Sequence, residues 1–233
     1  VNRLAIFDVD GTLTDTTGVD DECYRDAVAS VLAVAPESID WSRAAHVTDA
    51  GILDCLWSEH REGEPTLSEV ARTRSELVHR LNAALKRDPS RFASIAGAEP
   101  ALKSLVRSGW RVAVATGGWG PSARLKLAAA RVEIDDAVLA CADDAVSRVE
   151  IVELARRRAE IVHGCRFDRV VSIGDAPWDV ATADALELPF VGIAVGVRAE
   201  QLKQLGAGTV LPDFRDLGAV AHALETARPP SRV

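Results

Sequence analysis

The run Leu4-Ala5-Ile6-Phe7 is apolar at every position, with no polar residue to mark a solvent face, and reads as a parallel strand buried on both sides. Comparable runs recur at residues 111–115, 137–140, 169–173 and 190–195, with a weaker one at 209–211. Helical patterns separate them at 98–107, 121–127 and 149–161, and two closing helices follow at 198–205 and 214–226. This alternation predicts the α/β class with a parallel sheet. Residues 16–93 interrupt it. They are rich in charge and alanine, and they predict three helices. The first has the acidic start Asp20-Asp21-Glu22, continues over 23–34 and stops at Pro36. The second begins at Thr48 or Asp49 and carries Ile52, Leu53, Leu56 and Trp57 at helical spacing. The third opens at Thr66 or Ser68, with Glu69 as capping partner, and runs to Lys86 with Leu77, Leu81 and Leu85 on one face. The Pro-Pro stretch at 229–233 reads as a frayed tail.

The distinctive polar residues fall where the strands should end. Asp8 and Asp10 close the first run, two residues apart, and point the same way if the strand stays extended. Two carboxylates so close resist ionisation unless a cation lies between them. Mg²⁺ suits them, because it favours one or two carboxylates plus phosphate oxygens. Gly11 lets the chain turn away from the sheet edge. Thr116-Gly117-Gly118 ends the second run, Asp143-Asp144 and Arg148 follow the third, and Asp175 and Asp179 follow the fourth. In open α/β sheets ligands bind at this carboxyl edge.

The string Phe7-Asp8-Val9-Asp10-Gly11-Thr12-Leu13-Thr14-Asp15 resembles the first motif of the haloacid dehalogenase (HAD) superfamily, and the later polar elements match its other three motifs in order. The resemblance implies a Rossmann-like doubly wound parallel sheet with an inserted C1-type helical cap, phosphoglycolate phosphatase-like. The core would be 1–15 with 94–228, the cap 16–93. It implies that Asp8 attacks phosphorus to form an aspartyl-phosphate and ligates Mg²⁺. Asp10 would act as general acid, then base, and lend its backbone carbonyl to the metal. Thr116, Gly117 and Gly118 would hold phosphoryl oxygens, Asp175 would bind the metal, and Asp179 would orient the metal's waters. Arg148 stands where the family usually has a lysine paired with the nucleophile. It keeps the charge and can grip carboxylate and phosphate together. The rival cation, Lys126, lies inside a helix between Leu125 and Leu127 and reads as a solvated helix lysine.

Gly51 within a helical pattern costs about 1 kcal/mol relative to alanine, which asks for a close approach or a bend there. With Thr48 and Asp49 at a helix start, the segment is expected to face the active site, with Asp49 and Gly51 as substrate-binding residues. A plain N-cap is the alternative. Trp119 and Trp178 follow the site motifs and either wall the pocket or pack against neighbouring elements. The five histidines show no metal-ligand spacing.

Composition then narrows the function. The 233 residues are 48% hydrophobic and 27% charged, enough for one large domain with an insertion. Lys+Arg total 27 against 35 Asp+Glu, a net charge of −8, which argues against nucleic-acid and acidic-membrane partners. Cys23, Cys55, Cys141 and Cys165 form no CxxC pair and read as free thiols. The chain opens directly on the first strand and has no long apolar run, so a cytoplasmic setting is expected.

The expected activity is Mg²⁺-dependent hydrolysis of a small soluble phosphomonoester. Asp10 speaks against the dehalogenase branch, which lacks the second aspartate. The only lysine between 16 and 93, Lys86, is poorly placed for the Schiff base of the phosphonatase branch. A phosphomutase shares every core residue and is the closest rival. A receiver domain accepts phosphate on a later strand and has no such insertion. A catalytically weak HAD-fold binding protein is the alternative outside enzymes.

Overall fold

The computed structural model describes residues 1–231. Six strands form one parallel sheet: β1 (Arg3–Phe7), β2 (Trp110–Ala115), β3 (Leu139–Ala140), β4 (Arg169–Gly174), β5 (Phe190–Ile193) and β6 (Val210–Leu211). Their spatial order, β3-β2-β1-β4-β5-β6, is that of a doubly wound α/β sheet. Strand β1 is central. Phe7 stands beside Val114 of β2 and Ile173 of β4, so Asp8, Thr116 and Asp175 emerge side by side at the carboxyl edge.

Alternation along β1 explains its wholly apolar sequence. Ala5 and Phe7 pack with α4 (Ala98–Arg107) and α9 (Leu217–Thr226), through Leu102, Leu105, Val220 and Leu224. Leu4 and Ile6 pack on the other face with α6 (Arg148–His163), through Ile151, Val152, Ala155 and Ala159. Helices α5 (Gly120–Ala129), α7 (Pro177–Ala185) and α8 (Gly196–Gln204) complete the two layers.

Between β1 and β2 lie α1 (Thr17–Leu32), α2 (Asp49–His60) and α3 (Leu67–Arg87), as the broken alternation predicts. They share an apolar cluster, with Tyr24, Leu32, Leu53, Leu56, Leu77 and Leu81 meeting Trp119 from the sheet side. The capping box read at Thr66 and Glu69 is present: Glu69 N–H donates to Thr66 Oγ1, and Thr66 N–H donates to Glu69 Oε2 at 2.8 Å. Thr48 caps α2 by accepting from Gly51 N–H at 3.1 Å.

Four sequence expectations need correction. Helix α1 begins at Thr17, three residues before the acidic triplet, which puts Asp20 inside its first turn. The third strand is only Leu139–Ala140, because residues 136–138 wind into a 3₁₀ turn held by Asp135. The fifth strand ends at Ile193, and α8 starts at Gly196. The terminal segment is packed through Ser231: Pro230 is buried, and Ser231 N–H donates to Gly206 O at 3.1 Å. Arg232 and Val233, the rest of the expected tail, lie outside the described residues.

Candidate active site

The chain leaves β1 at Asp8, whose N–H donates to Ile173 O at 2.9 Å. It then folds back so that Leu13 and Thr14 N–H both reach Val9 O. Gly11 adopts φ +79°, and a Cβ there would collide with the Asp175 carboxylate. The turn therefore requires glycine twice over, for conformation and for space.

Carboxylate oxygens of Asp8, Asp175 and Asp179 lie within 4.8 Å of one another, and all three residues are buried. Burial, reinforced by the Asp179 charge, pushes the Asp8 carboxyl up to about 8. Burial and the Asp8 charge push Asp175 up to about 7. Asp179 rises to about 6, mainly through burial, although Arg148 pulls it down. Such a set resists ionisation until positive charge joins it. Its donors are all hard oxygens, with no thiolate or imidazole among them, so the residues fit a Mg²⁺-type ion.

Arg148 supplies part of that charge. Its Nη1 lies 3.0 Å from Asp179 Oδ1 and 3.5 Å from Asp8 Oδ1, while its Nε donates to Val47 O at 2.8 Å. Trp178 lies under the guanidinium, 5.3 Å from ring centroid to Cζ. The other Asp179 oxygen accepts from Asp175 and Ala176 N–H, each at 3.1 Å, which fixes the start of α7. Thr116 stands beside Asp8, and its Oγ1 accepts from Gly118 N–H at 3.1 Å, leaving the hydroxyl proton for another acceptor.

Asp10 lines the same pocket but lies outside the cluster and bonds other partners. Its Oδ1 accepts from Thr16 Oγ1 at 2.5 Å, and its Oδ2 receives Lys126 Nζ at 2.5 Å. This corrects the reading of Lys126 as a solvated lysine. The side chain is 0% exposed, and it also donates to Asp20 Oδ1 at 2.7 Å. Burial alone lowers a lysine's proton affinity, but Asp10, Asp20 and Asp49 outweigh it and raise that of Lys126.

The same geometry bears on the Asp49–Gly51 segment. Asp49 lines the pocket, but its Oδ2 accepts from Trp119 N–H at 2.7 Å and its N–H donates to Gly117 O at 2.7 Å. Burial and the nearby Asp20 charge hold its carboxyl well above the ordinary range. Gly51 does not line the pocket. A Cβ there would sit 2.7 Å from His46 Cβ, so the close approach that glycine permits is to His46. Trp119 is buried against Tyr24, and Trp178 is partly exposed at the pocket.

The pocket encloses about 150 Å³. Its inner wall, at the sheet edge, carries Asp8, Asp10, Thr116, Gly117, Gly118, Arg148 and Asp175, and its outer wall, from the inserted helices and the segment between them, Asp20, Asp21, Tyr24, Trp41 and Ile52. A larger hollow of about 470 Å³ lies by the opposite end of β2, between Leu102, Val106, Val112 and Ile134. Among the described residues no buried carboxylate cluster accompanies it, so the smaller pocket is the candidate site.

Sequence reasoning missed Lys126, Asp20 and Arg198, whose Nη1 pairs with Asp175 Oδ2. Arg198 follows the fifth strand, so the strand-end rule that found the others also covers it. For Lys126 the sequence held no such signal, since Asp10 and Asp20 lie 116 and 106 residues away.

Carboxylates and an arginine thus gather at the carboxyl edge of a doubly wound sheet, the edge at which such folds bind ligands. The chain belongs to the haloacid dehalogenase-like hydrolase family, whose model matches residues 3–186. It is 29% identical over 227 residues to a phosphoglycolate phosphatase of Rhodospirillum rubrum, covering 93% of this chain and 89% of that one. A hydrolase from Pseudomonas syringae has the same fold at 21% identity and a TM-score of 0.70, over 97% of this chain and 100% of that one. CbbY from Rhodobacter sphaeroides, solved in complex with phosphate, aligns at 23% identity and a TM-score of 0.67, again over 97% and 100%. Among the described residues, no helix is long and apolar enough to cross a membrane.

Proposed function

We propose that the chain is a Mg²⁺-dependent phosphatase acting on a small phosphomonoester through an aspartyl-phosphate on Asp8, with α1–α3 (within residues 16–93) as its cap. The observation that carries this reading is the buried Asp8–Asp175–Asp179 cluster, with Arg148 3.5 Å from Asp8 Oδ1. Family membership and the phosphatase relative support it.

Asp8 attacks phosphorus and the ester oxygen leaves with a proton from Asp10. Asp10 then takes a proton from the water that hydrolyses the aspartyl-phosphate, which returns both residues to their starting states. Thr116 Oγ1 and the Gly117–Gly118 backbone offer donors to phosphoryl oxygens, and Arg148 holds Asp8 and the phosphoryl group together. Asp8, Asp175 and the Asp10 carbonyl would hold Mg²⁺, with Asp179 ordering its waters. The ion supplies positive charge against the nucleophile and the phosphoryl oxygens.

The outer wall bears on the substrate. It carries Asp21 beside Asp20, which is itself paired with Lys126, while the cations at the pocket, Arg148 and Arg198, each hold a carboxylate already. An alcohol without negative charge of its own fits this wall better than a carboxylate would. The test is phosphate release, with Mg²⁺, from p-nitrophenyl phosphate, glycerol and sugar phosphates, and phosphoglycolate. Release from uncharged alcohols faster than from phosphoglycolate is expected. Intramolecular transfer without release identifies a phosphomutase, and inactivity on every ester leaves a binding protein.

A further inference from the structure

Lys126 is a buried cation that the mechanism above does not use. It lies on α5, 116 residues from Asp10 in the chain, and bonds Asp10 Oδ2 at 2.5 Å and Asp20 Oδ1 at 2.7 Å. Asp10 Oδ1 is held by Thr16 Oγ1, itself 2.5 Å from Thr14 Oγ1, and Thr14 Oγ1 donates to Val9 O at 3.2 Å. Thr14, Thr16 and Lys126 are 0% exposed, and none of them lines the pocket. The Asp10 carboxylate is therefore gripped at both oxygens by groups that do not themselves reach the substrate. The two bonds to Asp10 each join a carboxylate to a donor that is 0% exposed, and bonds that involve a charged group are the strong ones.

We propose that Lys126 is a positioning residue for phosphoryl transfer: with Thr16 it fixes the orientation of Asp10, while Asp20 holds the ammonium in place from α1. This rests on the reading of Asp10 as acid and base. An ordinary structural ion pair would need neither the acid/base residue as its partner nor a second carboxylate to anchor the ammonium. A proton donor displaced by even about 1 Å loses on the order of 10²-fold in rate, and general acid catalysis as a whole contributes roughly 10²–10⁴-fold. The loss should fall on esters whose leaving oxygen needs the proton most.

The experiment measures kcat/KM, which reports transfer to Asp8, over a series of aryl and alkyl phosphates of graded leaving-group acidity. For Lys126→Met the expected loss is less than about 5-fold with p-nitrophenyl phosphate and on the order of 10²-fold with alkyl esters. Lys126→Met with Asp20→Asn removes a cation and an anion together, keeps the buried charge balanced, and should show the same steepened dependence if the single variant folds poorly. Equal losses across the series in a folded variant would overturn the proposal, as would failure of both variants to fold, which would make the lysine a structural ion pair. Asp10→Asn separates the two readings. If it leaves the dependence unchanged, the acid/base assignment fails. If it steepens the dependence and Lys126→Met does not, only the role of Lys126 fails.

Discussion

Arg148 donates from Nη1 to Asp179 Oδ1 at 3.0 Å, and the same nitrogen stands 3.5 Å from the nucleophile candidate Asp8. Its Nε meanwhile donates to Val47 O. One guanidinium thus ties α6 to two buried carboxylates and to the segment before α2. The guanidinium serves Val47 and the carboxylates from separate nitrogens, whereas a lysine would have to reach all three acceptors from one point. Arg148→Ala is expected to lower kcat/KM by about 10²–10³-fold, the scale of losing one donor aimed at developing charge. Arg148→Lys should recover part of this, because the charge returns while the Val47 bond does not. Equal activity of the alanine variant and the parent in steady-state assays would remove Arg148 from the site.

Asp8→Asn keeps the side-chain volume but removes the nucleophile and a charge from the cluster. Turnover should fall by on the order of 10³-fold or more. The fold should survive, since a buried carboxyl pushed up to about 8 already favours its uncharged form near neutral pH. Circular dichroism and melting curves check the second half of this expectation. Parent-like turnover in a verified variant would end the covalent mechanism.

A metal ion at the cluster would compete with protons for the same oxygens. Asp8, Asp175 and Asp179 all have carboxyls raised above 3.8, to about 8, 7 and 6. A raised carboxyl binds more protons folded than unfolded, so its stabilising contribution is full below 3.8 and is lost as pH rises through the folded value. Chelated protein should therefore lose stability from these groups between about pH 4 and 8. Mg²⁺ binds the ionised form, so the rise in Tm that it causes should grow from pH 5.5 to pH 8. At a hundredfold excess over Kd, ligand binding stabilises by about 2.7 kcal/mol. For a chain of this size that is on the order of 5–10 °C. Differential scanning calorimetry with EDTA and with Mg²⁺ reads it. A shift that shrinks as pH rises would contradict the carboxylate cluster as the metal site.

The elements that sequence located well are those written locally. The unbroken apolar run of β1, the Thr66–Glu69 capping box and the carboxylates just past β1 and β4 each depend on neighbours within a few residues. What stayed hidden depends on distance in the chain. Lys126 sits between two leucines in a helical stretch, and nothing there announces a partner in Asp10, 116 residues away. Arg198 is 23 residues from Asp175 and belongs to another strand's exit. The tail misled for the same reason: its prolines suggest an end to structure, yet Ser231 pairs with Gly206. The third strand was overread because Asp135 accepts from Ala137 N–H and bends the chain before Leu139 can pair.

Asp49 offers the clearest separation between contacting a substrate and holding the site's shape. Its Oδ2 accepts from Trp119 N–H at 2.7 Å and its backbone N–H donates to Gly117 O, so α2 is pinned to the loop that carries the phosphate-binding candidates. Its own carbonyl accepts from Tyr24 Oη at 2.5 Å, which brings α1 into the same joint. The carboxyl is held well above its ordinary range, chiefly by burial and then by Asp20. An amide of the same shape can accept the Trp119 bond equally well. Asp49→Asn should accordingly leave Tm and relative kcat/KM values close to the parent's. Asp49→Ala strands the buried Trp119 N–H, at a cost of about 1–3 kcal/mol, or roughly 2–12 °C in Tm for a chain of this size. Its kcat/KM should fall by one common factor across phosphoesters, because the proposed role of the Gly117–Gly118 backbone is to hold the phosphoryl group that they share. Thermal melts and a substrate panel on both variants make the comparison. A loss that differs from ester to ester, most of all in Asp49→Asn, would place the carboxylate against the substrate instead.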